Sequence, residues 1–172
     1  MRKLVLLLGL LCLPAALATT YLELDFETMT TKAELAFFGT VRTVAVEERS
    51  GDPWTIVSFD VVQRFKGLEE EVLELELAFL GGALPDGTSL TVNLMPRFEA
   101  GEEVLLFAYK RTSYSPIVGF RQGLWRLGDL GFRDEADRLL TVDDEGALQL
   151  DGAGTNRELV LEALVTLFED GP

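Results

Sequence analysis

The sequence predicts a mainly β domain, a small antiparallel barrel or sandwich with one helix at each end. Three observations carry this reading. About seven short apolar segments recur at spacings near ten residues, most of them alternate apolar with polar side chains, and clusters of Gly, Pro or Asp separate them.

The elements follow in order. Over residues 22–34, Asp25 stands where a helix cap belongs, with Phe26, Met29 and Ala33 at helical spacing, which predicts one short helix. Residues 35–47 are β-like, dense in Phe37, Phe38, Val41, Val44 and Val46. Gly39 inside that run indicates a bulge or a close backbone approach. Residues 48–53, with Ser50, Gly51 and Asp52, form a turn cluster. Residues 54–66 alternate, placing Val57, Phe59, Val61 and Phe65 on one face and Ser58, Asp60 and Arg64 on the other. Residues 72–79 alternate as well, with Leu73, Leu75, Leu77 and Phe79 inward and Glu74 and Glu76 outward; Gly81, Gly82, Pro85, Asp86 and Gly87 then open a loop.

Leu90, Val92 and Leu94 predict a further short strand before Pro96. The uninterrupted apolar run of residues 104–109 predicts a strand covered on both faces. Residues 115–127 read as another β segment, with Gly119 and Gly123 as bends. Residues 139–142 and 147–150 flank Asp143, Asp144, Glu145 and Gly146, a hairpin with an acidic turn. The period then changes: Thr155, Asn156, Arg157 and Glu158 form a capping box, and Leu159, Val160, Ala163, Leu164, Leu167 and Phe168 give the apolar face of a final helix. The expected division is a leader over 1–18, an N-terminal segment over 19–34, a barrel over 35–150 and a helix packed on it over 151–172.

The leader changes the chemistry available to the rest. Arg2 and Lys3, an apolar run over residues 4–13, then Pro14 and Ala16-Leu17-Ala18 match a secretory signal peptide cleaved near Ala18, which implies a secreted or periplasmic protein. The run falls short of the ~20 residues of a membrane anchor. Leu11 directly before Cys12 is too bulky for a lipoprotein signal. Cleavage removes Cys12, the sole cysteine, and the chain has no histidine. Disulfides, thiolate nucleophiles, Cys or His zinc sites and a Ser-His-Asp triad are thereby excluded from the mature chain. Without Arg2 and Lys3, 13 basic residues face 29 acidic ones, a net charge of −16. Such a surface repels nucleic acid and anionic lipid, so neither is an expected partner.

Two blocks resemble a group of secreted bacterial proteins. Pro96-Arg97-Phe98 with Gly101-Glu102-Glu103-Val104-Leu105-Leu106-Phe107 is similar to its "PRFxxGExVLLFL" element. Ile117-Val118-Gly119-Phe120-Arg121-Gln122-Gly123-Leu124-Trp125-Arg126-Leu127 is similar to its "Y-x-VVGxxQGxxRV" element. Upstream, residues 36–41 and the Phe65-Lys66-Gly67 end of residues 61–67 resemble its "ADxVVxGxV" and "VEEVLKG" elements. The resemblance implies an antiparallel OB-like barrel, similar to netrin-like modules and tissue inhibitors of metalloproteinases. Those inhibitors block zinc with an N-terminal cysteine that the mature chain lacks, so their mechanism is not carried over. No catalytic residue is transferred either.

Candidate sites are few. Asp143, Asp144 and Glu145 with Asp151 are acidic enough for Ca²⁺ but lack the Asp-x-Asp-x-Asp-Gly order, and a solvated turn explains them. No metal, cofactor or catalytic residue is expected. Arg121, Gln122, Trp125 and Arg126 form the one cluster of interest. Projecting from a single barrel edge, an arginine fork beside an aromatic ring would recognise a peptide or a carboxylate. The plainer alternative places Trp125 in the core and pairs the arginines with surface acids. Phe37, Phe59, Phe79 and Phe107 are expected in the core.

The function expected is therefore an exported, non-enzymatic binding module whose partner is a protein, such as an envelope protein or an extracellular peptidase. The alternative is a carboxylate-based hydrolase of extracellular or cell-wall glycans, using two acids across a cleft. A barrel enclosing a small apolar ligand would need an unfilled interior, which the inward Phe and Leu residues oppose.

Overall fold

The computed structural model describes residues 23–111, 113–150 and 156–169. The expected leader and cleavage site lie outside the described residues, as do Thr155 and Asp151. The chain is mainly β with a short helix before the sheet and a longer one after it, as the sequence predicts.

Helix α1, Phe26–Lys32, starts where Asp25 accepts the Thr28 N–H at 2.6 Å through Oδ1. That hydrogen bond satisfies one orphan donor of the first turn. The same bond holds the Asp25 carboxyl below its ordinary 3.8, the backbone N–H of Thr28 being the main cause. A lowered folded-state pKa gives stability that is present above the unfolded value and lost as pH falls through the folded one. Asp25→Ala is thus expected to lower the denaturation midpoint near neutral pH, with the gap to wild type narrowing as pH falls through the folded carboxyl's titration, as paired urea titrations would show.

Strands β1, Leu35–Arg49, and β2, Asp52–Lys66, form one long hairpin. The turn is only Ser50-Gly51, at φ 56° and 89°, the left-handed pair that a two-residue hairpin turn requires. The strands are fifteen residues each, close to the expected segments 35–47 and 54–66 and extended by two residues apiece because their pairing runs to Arg49 opposite Asp52. The outer part of β1 after Val41 has little apolar cover and stands mostly exposed.

β3, Glu74–Leu80, pairs with β2; β6, Glu103–Ala108, pairs with β1; β7, Leu124–Gly128, and β8, Gly131–Arg133, complete an antiparallel sheet in the order β3-β2-β1-β6-β7-β8. Two small hairpins flank it: β4, Gly82–Ala83, with β5, Ser89–Leu90, and β9, Leu140–Val142, with β10, Leu148–Leu150. The last element is α2, Arg157–Glu169, whose second residue, Glu158, donates its N–H to Asn156 Oδ1 at 3.0 Å. Among the described residues no helix is long and apolar enough to cross a membrane.

Both faces of the sheet are buried, as the apolar run of β6 predicts. Val104, Leu106 and Ala108 enter one core cluster with Phe37, Val41, Val57, Phe59, Leu77 and Phe79. Leu105 and Phe107 enter the other, with Phe38, Trp125 and Phe132. Phe98, from the segment between β5 and β6, covers the first cluster with its ring 5.0 Å from Phe79 and 5.7 Å from Phe59. Met29 and Ala33 of the α1 region, Leu140 of β9, and Val160 and Leu164 of α2 cover the second. Burying each of the larger aliphatic and aromatic side chains stabilises by about 1.5–3 kcal/mol, which lets a chain without disulfides hold together.

Several expectations need correction. The sheet does not close into a barrel: β3 and β8 are its two edges. The segment expected to run as a strand over residues 115–127 is interrupted, with β7 beginning only at Leu124, and on the outer edge of β3 the Leu80 N–H donates to Tyr114 O at 2.8 Å. Residues 92–94 are not a strand; Leu94 adopts φ 64° and is exposed. Leu73 lies before β3 and is exposed, and Leu159 and Leu167 face outward because α2 buries only a narrow stripe. Phe65 leaves the face of Val57, Phe59 and Val61 and joins the opposite cluster. Its turn follows from extra residues in β2: Gly39 pairs with Val61 but Phe38 with Gln63, and Phe37 with Arg64 but Ala36 with Lys66. Each bulge flips the side-chain alternation beyond it. The approach expected at Gly39 is present, since a Cβ there would lie 2.5 Å from the Asp60 carbonyl oxygen.

Candidate functional site

The interrupted segment before β7 builds the most distinctive surface. Residues 116–118 run along β6, with the Tyr109 N–H donating to Pro116 O and the Val118 N–H to Phe107 O. The chain returns at Gly123, whose carbonyl accepts the Phe107 N–H at 2.8 Å. Phe107 therefore faces both Val118 and Gly123, and residues 119–122 loop out as a wide bulge. Gly119 and Phe120 take the turn at φ 63° and 68°, and the Ser115 hydroxyl holds Phe120 O at 2.6 Å. Bulges of this kind re-aim side chains, and this one carries Arg121 and Gln122 away from the sheet.

Gln122 Oε1 accepts the Leu24 N–H at 2.7 Å, fastening the chain ahead of α1 to the bulge. Arg121 approaches Glu135 Oε2 at 3.8 Å, an ion pair beyond hydrogen-bond reach. Between them lies a cleft of about 370 Å³ lined by Glu23, Arg121, Gln122, Asp134, Glu135 and Arg138, together with Ala136. Its far wall is held by hydrogen bonds: Asp134 Oδ1 accepts the N–H groups of Ala136 and Arg138, each at 2.9 Å, and Asp134 Oδ2 takes Arg138 Nη2 at 2.6 Å. Arg138 also pairs with Glu23.

The four residues singled out by sequence do not form one fork. β7 alternation sends Trp125 and Arg126 to opposite faces of the sheet. Trp125 is fully buried in the second cluster, its ring 6.5 Å from Phe26, with its Nε1 unpartnered among the described residues. Arg126 donates to Arg97 O at 2.6 Å, lies 3.5 Å from Glu102, pairs with Glu135 and sits over Phe98 at 5.9 Å. The aromatic ring beside the guanidinium is thus Phe98. Arg121 and Gln122 do stand together on the cleft, and Glu135 links Arg121 to Arg126.

Sequence reading missed Asp134, Glu135 and Arg138. The dense charge run Arg133-Asp134-Glu135-Ala136-Asp137-Arg138 between two apolar stretches was the available signal. The Asp143 carboxylate is taken up in its own turn, accepting Glu145 N–H at 3.0 Å, Ala147 N–H at 2.8 Å and Gln149 Nε2 at 2.5 Å. No group of three or more candidate ligands is placed to hold a metal ion among the described residues.

Comparison with protein-family models, curated proteins and solved structures found no match.

Proposed function

We propose that the chain is an exported, non-enzymatic module that binds a protein of the envelope or extracellular space through the Arg121 rim of the cleft. The observation that carries this reading is the position of Arg121. It stands one third exposed on a four-residue bulge and meets its nearest acid at 3.8 Å, whereas Arg126 and Arg138 are each held by several closer partners. A guanidinium so placed suits a carboxylate on a partner, because bidentate charge-assisted hydrogen bonds would exceed its present pairing. The leader-like start and the absence of His and of any Cys outside it support export and binding over catalysis.

The test is capture of partners from envelope extract by the immobilised mature chain. Wild type is expected to retain a polypeptide that an unrelated acidic protein does not, and Arg121→Glu to weaken retention about tenfold or more. Equal retention by wild type, variant and control would overturn the reading.

A further inference from the structure

The helical period of the final segment carries more apolar surface than the core uses. Leu159, Ala163 and Leu167 recur at i, i+4 and i+8, but the residues that α2 buries are Val160 and Leu164. Leu159 is 52% exposed and Leu167 40%. Side chains so spaced form a ridge along one side of a helix, about 12 Å long at 1.5 Å per residue, of the kind that packs into the grooves of another helix. Ala163 and Leu167 also line a groove of about 570 Å³, together with Phe26 of α1 and with Ala147 and Leu148 where β10 begins. The Phe26 ring is half-buried and meets Phe107 at 5.7 Å and Trp125 at 6.5 Å, so the second core cluster backs the groove.

The two hydroxyls on the groove are used within their own helices: Thr30 donates to Glu27 O at 3.0 Å and Thr166 to Glu162 O at 3.2 Å. The charge that remains is negative. Glu27 and Glu145 are the charged side chains lining the groove, whereas the Arg121 cleft holds two arginines. Glu162 adjoins the ridge at i+3 from Leu159. None of these three carboxylates has an ion pair among the described residues. Lys66, which donates to Thr30 O at 3.1 Å and stands 5.8 Å over the Phe168 ring, does not line the groove.

We infer that this groove receives a basic amphipathic helix of a partner protein, its apolar face on Phe26, Leu148 and the ridge of α2 and its lysines or arginines against Glu27, Glu145 and Glu162. A helix with apolar residues at i, i+4 and i+8 is the complement of such a ridge, and opposite charge around it fixes orientation and speeds encounter. A second copy of this chain fits poorly, because the same groove on two copies would set acidic rims face to face, and an anionic lipid surface meets the same repulsion. The inference rests on the chain being a binding module but concerns a groove that shares no lining residue with the Arg121 cleft.

The experiment uses the mature chain and a labelled peptide, acetyl-Lys-Leu-Ala-Lys-Lys-Leu-Ala-Lys-Lys-Leu-Ala-Lys-amide. An isomer of the same composition with its leucines spread round the helix controls for charge alone, and the glutamate counterpart controls for apolarity alone. Fluorescence anisotropy reads affinity, and amide shifts in nuclear magnetic resonance locate the contact. The lysine peptide is expected to bind saturably and to shift the amides of Ala147, Leu148 and Ala163, the isomer to bind at least about tenfold more weakly, and the glutamate peptide not to bind. Two pairs of substitutions at exposed positions test the two halves of the inference. Leu159→Gln with Leu167→Gln is expected to weaken binding about tenfold or more, and Glu27→Gln with Glu145→Gln about threefold or more. No saturable binding, equal affinity for the isomer, shifts confined to other residues, or affinity unchanged in either pair would overturn the proposal. Envelope capture that still depends on Arg121 would in that case leave the Arg121 reading standing, so the two failures are distinguishable.

Discussion

Trp125→Ala is expected to lower the unfolding free energy by about 3–5 kcal/mol, the usual cost of removing a buried indole from a packed cluster. The side chain has no exposed surface and lies among Phe107, Phe132, Leu140, Val160 and Leu164, where sheet, hairpin and α2 meet. Loss of that much free energy would consume a large share of the stability of an ordinary domain. Trp125→Phe separates packing from recognition. It keeps an aromatic ring and removes an indole N–H that has no partner among the described residues, so it leaves a smaller cavity and should cost clearly less than Trp125→Ala. Retention of partners should be unchanged in that variant. Urea denaturation of both proteins checks the energies, and a retention defect in a stable Trp125→Phe would assign the ring a binding role.

The second large effect is expected at Gly67, where α1, β1 and β2 converge. Its φ is 73°, and a Cβ built there would lie 1.9 Å from the carbonyl oxygen of Glu34. Gly67→Ala therefore combines left-handed strain of about 1–2 kcal/mol with a backbone displacement of about 1–3 kcal/mol. Gly87 is the control, because at φ 91° it shares the backbone conformation but a Cβ would meet nothing within 4 Å. Denaturation midpoints should fall markedly for Gly67→Ala and only slightly for Gly87→Ala. Equal shifts would show that strain alone, and not the contact with Glu34, governs the site.

Much of this fold could be read from side-chain period. The unbroken apolar run of β6 predicted a strand buried on both faces, and its residues do alternate between two core clusters. Asp25 marked the start of α1, and the acidic turn between β9 and β10 marked a hairpin. What period alone could not convey were insertions that shift it. The extra residues of β2 turn Phe65 to the opposite face, and the four residues looped out before β7 interrupt the segment where continuous β structure was expected. The same bulge explains how far the site was legible. Adjacent positions in sequence suggested one cluster, but β7 alternation separates Trp125 from Arg126, while Glu135 and Arg138 reach the cleft from a distant turn.

The blocks that resemble secreted bacterial proteins take up structural positions along this bulge and the strand beside it. Phe98 covers a core face, Arg97 O accepts from Arg126, and Gly123 fits where a Cβ would lie 2.6 Å from Phe107 O. Arg121 differs from these, since its side chain stands one third exposed on the bulge and its nearest acid lies at 3.8 Å. The most direct measurement is photo-crosslinking from a benzophenone side chain placed at position 121 of the full chain, expressed with its leader in a bacterial host. The expected product is processed near Ala18, recovered outside the cytoplasm and joined covalently to another polypeptide, with far less adduct from the same probe at exposed Leu94. An unprocessed chain, or equal adducts from both positions, would contradict it.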